Sequence, residues 1–225
     1  MKLPAPGRFV LATGNVDKAR EINEVLSAAL DEPLAAWAVE VDDTLVGFVV
    51  QGATEPFEPL RLAAAPDVEE TGATLEENAR IKAVGVGTAT GLPAIADDTG
   101  LLVDALGGAP GVHSARYAGP EGIAADNVAK LLDALRDVPD GRRTARFETV
   151  ILVRWTGGRE LVARGAVEGT IARAPSGANG FGYDPVFVPA EGDGRSFAEM
   201  TAQEKHARSH RGRAVRMLAA ALRDA

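Results

Sequence analysis

Short apolar runs and amphipathic helical stretches alternate along this chain, with Gly or Pro at most of the junctions, and that alternation restricts it to a mixed α/β fold. Residues 9–12 form the first run and lead into Thr13-Gly14-Asn15, after which Ile22, Val25, Leu26 and Ala29 recur at i, i+3, i+4 and i+7. That pattern reads as strand, loop and helix. Thr74 with Glu77 three positions on is a capping box, so the spacing predicts a helix over 75–88, stopped by Gly91 and Pro93. Ala94-Ile95-Ala96 reads as a buried strand that delivers Asp97-Asp98-Thr99-Gly100 at a strand-to-turn junction, with 101–106 as a further short apolar element. Val128, Leu131, Leu132 and Leu135 mark a second amphipathic helix that Pro139 and Gly141 end. Residues 146–155 and 160–172 flank Thr156-Gly157-Gly158-Arg159 as a hairpin, 174–184 is a Gly-rich loop, and 185–188 is a short strand. A second capping box, Thr201 with Glu204, precedes Ser209, which caps a final helix with Ala214, Met217, Leu218 and Ala221 on one face. Residues 37–51 mix alternation at Val39 and Val41 with a continuous run over 45–50, which predicts one or two strands and a loop before Pro56, Pro59 and Pro66. The inserted hairpin makes this more than a repeated βαβ ladder.

With 225 residues, 46% of them hydrophobic, the chain has ample material for one large domain or two small lobes. Its net charge of −8 argues against a general nucleic-acid binder. The longest stretch without a charged side chain, 83–96, is 14 residues and contains Gly and Pro, too short for a spanning helix. Two prolines and two charges precede the first apolar run, unlike a secretory signal, so the expected location is cytoplasmic. The absence of cysteine removes disulfides, thiolate nucleophiles and Cys-based metal sites, leaving carboxylate, His, Lys and hydroxyl chemistry.

Two acidic clusters stand out: Glu69-Glu70 with Glu76-Glu77 just after, and Asp97-Asp98. A hard cation such as Mg²⁺ takes one or two carboxylates together with substrate phosphates. Glu76 and Glu77 read better as first-turn acids that suit the helix dipole, whereas a structural strand end seldom needs two adjacent aspartates, although either alone could be a turn former. Against the overall charge, residues 201–216 carry Lys205, Arg208, Arg211, Arg213 and Arg216 beside the single acid Glu204, which fits either an anionic ligand or a solvated basic face. His206 and His210 have the i, i+4 spacing of a zinc pair, but the surrounding cations exclude zinc, and His113 reads as a packing or hydrogen-bonding residue. The Thr13-Gly14-Asn15-Val16-Asp17-Lys18 loop can bring hydroxyl, amide, backbone N–H and ammonium groups onto phosphate, or be an ordinary turn. Gly177, Gly180 and Gly182 around Phe181 permit close approach of a planar ligand, with Phe181 or Tyr183 to stack, or simply end a hairpin. No Walker A loop or Gly-x-Ser-x-Gly elbow occurs.

Four segments in this order carry a specific resemblance: Leu11-Ala12-Thr13-Gly14-Asn15 with Lys18, Ala96-Asp97-Asp98-Thr99-Gly100-Leu101, Gly180-Phe181-Gly182-Tyr183-Asp184-Pro185, and Ser209-His210-Arg211-Gly212. Glu70-Thr71-Gly72, Glu77-Asn78-Ala79, residues 107–119 and Glu204-Lys205 support it. The chain closely resembles the inosine triphosphate pyrophosphatase family, which hydrolyses non-canonical purine nucleoside triphosphates. The resemblance implies an elongated mixed central sheet flanked by helices, one two-lobed domain over 1–225 with an active-site cleft between the lobes, and a homodimer. The implied reaction cleaves ITP, dITP or XTP between the α and β phosphates, giving a monophosphate and pyrophosphate.

Carried onto this sequence, the resemblance makes Asp98 the general base and, with Glu70, a ligand of Mg²⁺, while Asp97 supports the acidic site. Thr13, Gly14, Asn15, Lys18 and Lys205 bind the triphosphate, with Thr99 beside the reacting centre. Phe181 stacks on the purine, Gly182, Tyr183 and Asp184 line its edge, and His210 with Arg211 meets the 6-keto oxygen. Residues 31–68 depart from the family as an insertion, set either beside Glu70 or at the edge of its lobe. A silent nucleotide-binding protein, or a related-fold pyrophosphatase acting on modified pyrimidine or canonical nucleotides, is the competing reading.

Overall fold

The computed structural model of the chain describes residues 8–56, 60, 62, 64–66 and 68–224. The reading of residues 1–7 as unlike a secretory signal, and of Pro59 as a breaker of regular structure, falls outside the described residues. Eight strands form one sheet: β1 (Arg8–Leu11), β2 (Leu34–Val41), β3 (Thr44–Gly52), β4 (Ala94–Val103), β5 (Pro110–Gly111), β6 (Thr144–Arg154), β7 (Glu160–Ile171) and β8 (Phe187–Pro189). Their order is β2-β3-β1-β4-β6-β7-β8, with β5 pairing on β4. β1 runs parallel to β4 and antiparallel to β3. The helices are α1 (Val16–Leu30), α2 (Leu75–Thr90), α3 (Ala124–Ala134), α4 (Ala202–Arg208) and α5 (His210–Asp224). This is a mixed α/β fold with a central sheet flanked by helices. Among the described residues no helix is long and apolar enough to cross a membrane.

By contacts the chain divides into two compact units, one of Met1–Asp98, Val150–Arg164 and Ala214–Ala225, the other of Thr99–Thr149 and Gly165–Arg213. Strand alternation gives the first unit two apolar layers. Phe9, Leu11 and Ile95 join Ile22 and Leu26 of α1 and Val215 and Leu218 of α5, while Val10, Ala94 and Ala96 point the other way and join Ala79, Ala83 and Val86 of α2. In the second unit Leu131 and Leu135 pack with Phe147, Val167, Phe187 and Phe197.

The helix signals correspond to helices. Asn15 caps α1 by accepting from Lys18 N–H, and Thr74 with Glu77 closes a reciprocal capping box on α2. Thr201 and Glu204 do the same for α4, and the Ser209 hydroxyl accepts from Gly212 N–H at the start of α5. Four expectations change. The apolar face of α5 is rotated, so that Met217 is 57% exposed while Val215, Ala219 and Leu222 are buried. The His113 side chain is exposed rather than packed, while its backbone bonds locally, the N–H donating to Pro110 O and the carbonyl accepting from Arg116 N–H. His206 and His210 belong to different helices and share no helical face. Most important for function, β4 continues through Asp97-Asp98-Thr99-Gly100, so the acidic pair lies inside a strand and not at a turn.

The unmatched stretch after α1 contains the hairpin β2–β3, with Val41 opposite Thr44 across Asp42 and Asp43. Both aspartates have positive φ, 47° and 62°, the sign that a two-residue type I′ turn requires. Residues 48–51 of β3 pair with the whole of β1, and a side chain at Gly14 would meet the Leu45 carbonyl oxygen at 3.4 Å. The hairpin therefore extends the sheet and also abuts the β1–α1 loop.

Candidate active site

In the first unit, strand alternation sends the two central aspartates in opposite directions. Asp97 pairs with Lys18 of α1 at 3.3 Å, and its side chain is fully buried. Asp98 faces α2, where its Oδ1 accepts from Lys82 Nζ at 3.0 Å and its Oδ2 from Asn78 Nδ2 at 3.3 Å. Asn78 and Lys82 are one helical turn apart and thus share a face. Lys82 Nζ also reaches Glu70 Oε2 at 3.2 Å, so one ammonium bridges Glu70 and Asp98. Burial pushes the Asp98 carboxyl above its ordinary value, against the opposing pull of Lys82 and Lys18. Burial works against the Lys82 charge, but Asp98, Asp97 and Glu70 together outweigh it and raise its pKa. The result is a fixed carboxylate that is more basic than a free aspartate.

Before α1, Thr13 Oγ1 accepts from Asn15 N–H at 3.1 Å and Asn15 Oδ1 from Lys18 N–H at 2.9 Å. Gly14 and Asn15 are exposed and Lys18 is half-buried, which leaves this loop presented at the helix N-terminus, where phosphate is favoured. Glu76 and Glu77 are occupied structurally: Glu77 caps α2, and Glu76 pairs with Arg80 and Arg164.

Glu70 and Asp98 already converge on one positive charge, and their hard oxygen donors suit a small divalent ion completed by phosphate and water oxygens. Among the described residues no group of three or more His or carboxylate side chains forms a closed metal cage.

The second unit collects the other set. Phe181 is half-buried, with Lys205 Nζ 4.6 Å and the Arg211 guanidinium carbon 5.4 Å from its ring centroid. Asp184 Oδ2 takes both Phe181 N–H at 2.8 Å and Lys205 Nζ at 2.7 Å, which folds the 181–184 loop tightly around one carboxylate. Gly180, at φ 71°, is required there because any side chain would collide with Asp184. Lys205 is thus held, 4% exposed, with Phe181 and Asp184. Tyr183 differs from the reading that made it a contact for the base edge. It is 5% exposed, and its hydroxyl donates to Ser114 O at 2.9 Å, so its ring supports the loop from within the core. Gly182, half-buried at φ 63°, makes the turn between them.

At the start of α5, His210 stacks on Phe147 with centroids 4.4 Å apart and planes at 15°. Arg211 is buried and donates from Nη2 to Thr99 Oγ1 at 3.1 Å, and Thr99 Oγ1 lies 2.7 Å from Thr149 Oγ1. The structure therefore gathers Glu70 and Asp98 in one set and Phe181, Asp184, Lys205, Thr99 and Arg211 in another, with Thr13, Asn15 and Lys18 joined to the first through Asp97. Sequence reasoning missed Lys82 and Asn78 as Asp98 partners, although their i, i+4 spacing on a helix packed against that strand was the available signal.

The Ham1 family model matches residues 9–221. The chain is 47% identical to the dITP/XTP pyrophosphatase of Symbiobacterium thermophilum over 92% of its own length and 91% of that protein, and 44% identical to the dITP/XTP pyrophosphatase of Shigella flexneri over 96% and 98%. Among solved structures it is similar to a HAM1 protein from Coxiella burnetii, with a TM-score of 0.72 at 37% identity, covering 96% of this chain and 98% of that one. With this similarity running from β1 into α5, the chain belongs to the Ham1 family.

Proposed function

We propose that this protein hydrolyses non-canonical purine nucleoside triphosphates, with dITP, XTP and ITP as substrates, to the nucleoside monophosphate and pyrophosphate. The observation that carries this reading is the Asp98 carboxylate, buried, held at both oxygens and joined to Glu70 through Lys82. Full-length similarity to two dITP/XTP pyrophosphatases supports the substrate class. In the reaction Asp98 orients a water and accepts its proton as the water oxygen bonds to the α-phosphorus; the bond to the α,β-bridging oxygen breaks and pyrophosphate leaves. Glu70 and Asp98 would hold Mg²⁺, which would supply charge neutralisation on the phosphates when bound. Lys18, Thr13 and Asn15 take the phosphate chain.

Phe181 takes the purine face, and Arg211 with His210 donates to a 6-keto oxygen. Adenine's amino group would leave those buried donors unpaired, the costly mismatch on which strong discrimination is built. Guanine carries the same 6-keto group, so its rejection arises near the 2-position. The protein works in the cytoplasm as a homodimer. The test is product analysis with ITP, XTP, dITP, GTP and ATP, with and without Mg²⁺. Monophosphate plus pyrophosphate from the non-canonical nucleotides alone is the expected result, whereas binding without turnover, or equal turnover of GTP and ATP, overturns it.

A further inference from the structure

We propose that the second unit carries an anion site, a pocket of about 350 Å³ lined by Arg136, Arg143 and Arg173 with Leu132 and Asp133, and that its ligand is a phosphate group. None of these residues belongs to the candidate active site, so the inference stands apart from the proposed reaction. Arg136 lies just past α3, Arg143 just before β6 and Arg173 just after β7, and the packing of these elements draws three guanidinium groups into one lining. Like charges gathered in this way repel one another unless anions balance them. Two of the three are balanced: Arg136 pairs with Asp133 at 3.5 Å and Arg173 with Asp140 at 2.7 Å. Arg143, only 2% exposed, has no carboxylate of its own among the described residues; it donates to the Ile171, Leu135 and Ala172 carbonyl oxygens, which carry partial charge alone. Burial and the Arg173 charge both disfavour its cation and lower its pKa, and a bound anion would relieve both.

The supply of donors selects the ligand. A guanidinium has five N–H groups. Arg143 spends three of them on those carbonyls, and Arg173 spends three on Asp140 and the Arg136 and Val138 carbonyls, so two remain on each. A carboxylate offers two oxygens, enough for one guanidinium fork, whereas a phosphate group offers at least three and a charge near −2, which suits several forks at once. The experiment titrates the full chain with inorganic phosphate at constant ionic strength, by calorimetry, for the unmodified protein, Arg136→Gln/Arg173→Gln and Asp133→Asn. Saturable binding is expected in the unmodified protein, weakened roughly tenfold or more in the arginine double variant. Asp133→Asn removes the carboxylate that competes for Arg136 and should tighten binding about two- to fivefold, a gain that misfolding cannot imitate. No saturable binding, an unchanged affinity in the double variant, or no gain in Asp133→Asn overturns the inference. Inosine monophosphate is titrated in parallel: extra affinity that the double variant loses identifies a nucleotide phosphate as the ligand, and equal behaviour identifies free phosphate, either of which supports the site.

Discussion

At the scale of single residues, two side chains with the same chemistry and adjacent numbers do different work because a strand separates them. Asp97 is committed to Lys18 and the α1 side, whereas Asp98 faces Lys82, Asn78 and Glu70 on the α2 side. Asp98→Asn keeps the volume and a hydrogen-bonding side chain but loses the carboxylate proposed as the base. We expect turnover of ITP to fall about a thousandfold, within the range for removing a general base. The fold should survive, because Lys82 keeps Glu70 as a partner and a buried charge is removed, so an unchanged or raised melting temperature is expected. Retained turnover would eliminate Asp98 as the base. Arg211→Ala addresses recognition instead: it removes the donor held beside Phe181 and Thr99. The ratio of kcat/KM for ITP to that for ATP should drop by roughly tenfold or more, since a lost donor penalises only the base that used it. Equal losses on both nucleotides would assign Arg211 to general binding.

Among the elements, Arg143 shows how one buried side chain can hold several together. It is 2% exposed, and its guanidinium donates to Leu135 O at the end of α3, to Ile171 O at the end of β7, and to Ala172 O just beyond. Burial and the nearby Arg173 charge lower its pKa, and no carboxylate hydrogen-bonds to it among the described residues; backbone carbonyls at a helix C-terminus provide its negative partners. Arg143→Ala should cost about 3 kcal/mol in urea unfolding, the upper range for hydrogen bonds to a charged group. Lysine, a point charge without the fork, should recover less than half of that. A loss below about 1 kcal/mol for the alanine variant would show that water replaces the guanidinium.

The helices were legible in the sequence because 3.6-residue periodicity and caps act locally: Thr74, Thr201 and Ser209 each mark a start that the structure keeps, while α1 was legible from its periodicity and its cap, Asn15, read only as part of the preceding loop. β4 was not legible as one strand, since Asp-Asp-Thr-Gly has turn composition and only pairing with neighbouring strands overrides it. The β2–β3 hairpin hid for a related reason, because Asp42-Asp43 lacks the glycine that usually announces a type I′ turn. In the site the motif residues were readable, but Lys82 looked like one more helix lysine until α2 was placed against β4. Tyr183 looked available to a ligand until its hydroxyl was found on Ser114.

Across the whole molecule, stability and chemistry draw on different residues. The apolar clusters of both units are built from aliphatic and aromatic side chains, and neither Glu70 nor Asp98 belongs to them. The two carboxylates have a partner of their own in Lys82, so their charges are balanced by the chain itself. A structural zinc site is the opposite case, where the ligands repel one another without the ion and the apo chain unfolds. Stripping divalent cations with EDTA should therefore abolish pyrophosphate release from ITP while leaving the melting temperature within about two degrees of its value in dilute buffer, since only a ΔΔG well below 1 kcal/mol is involved. Added Mg²⁺ should restore turnover without a refolding delay. A large fall in melting temperature on chelation would place a divalent ion in the folded structure itself, and turnover that survives chelation would remove Glu70 and Asp98 from metal binding.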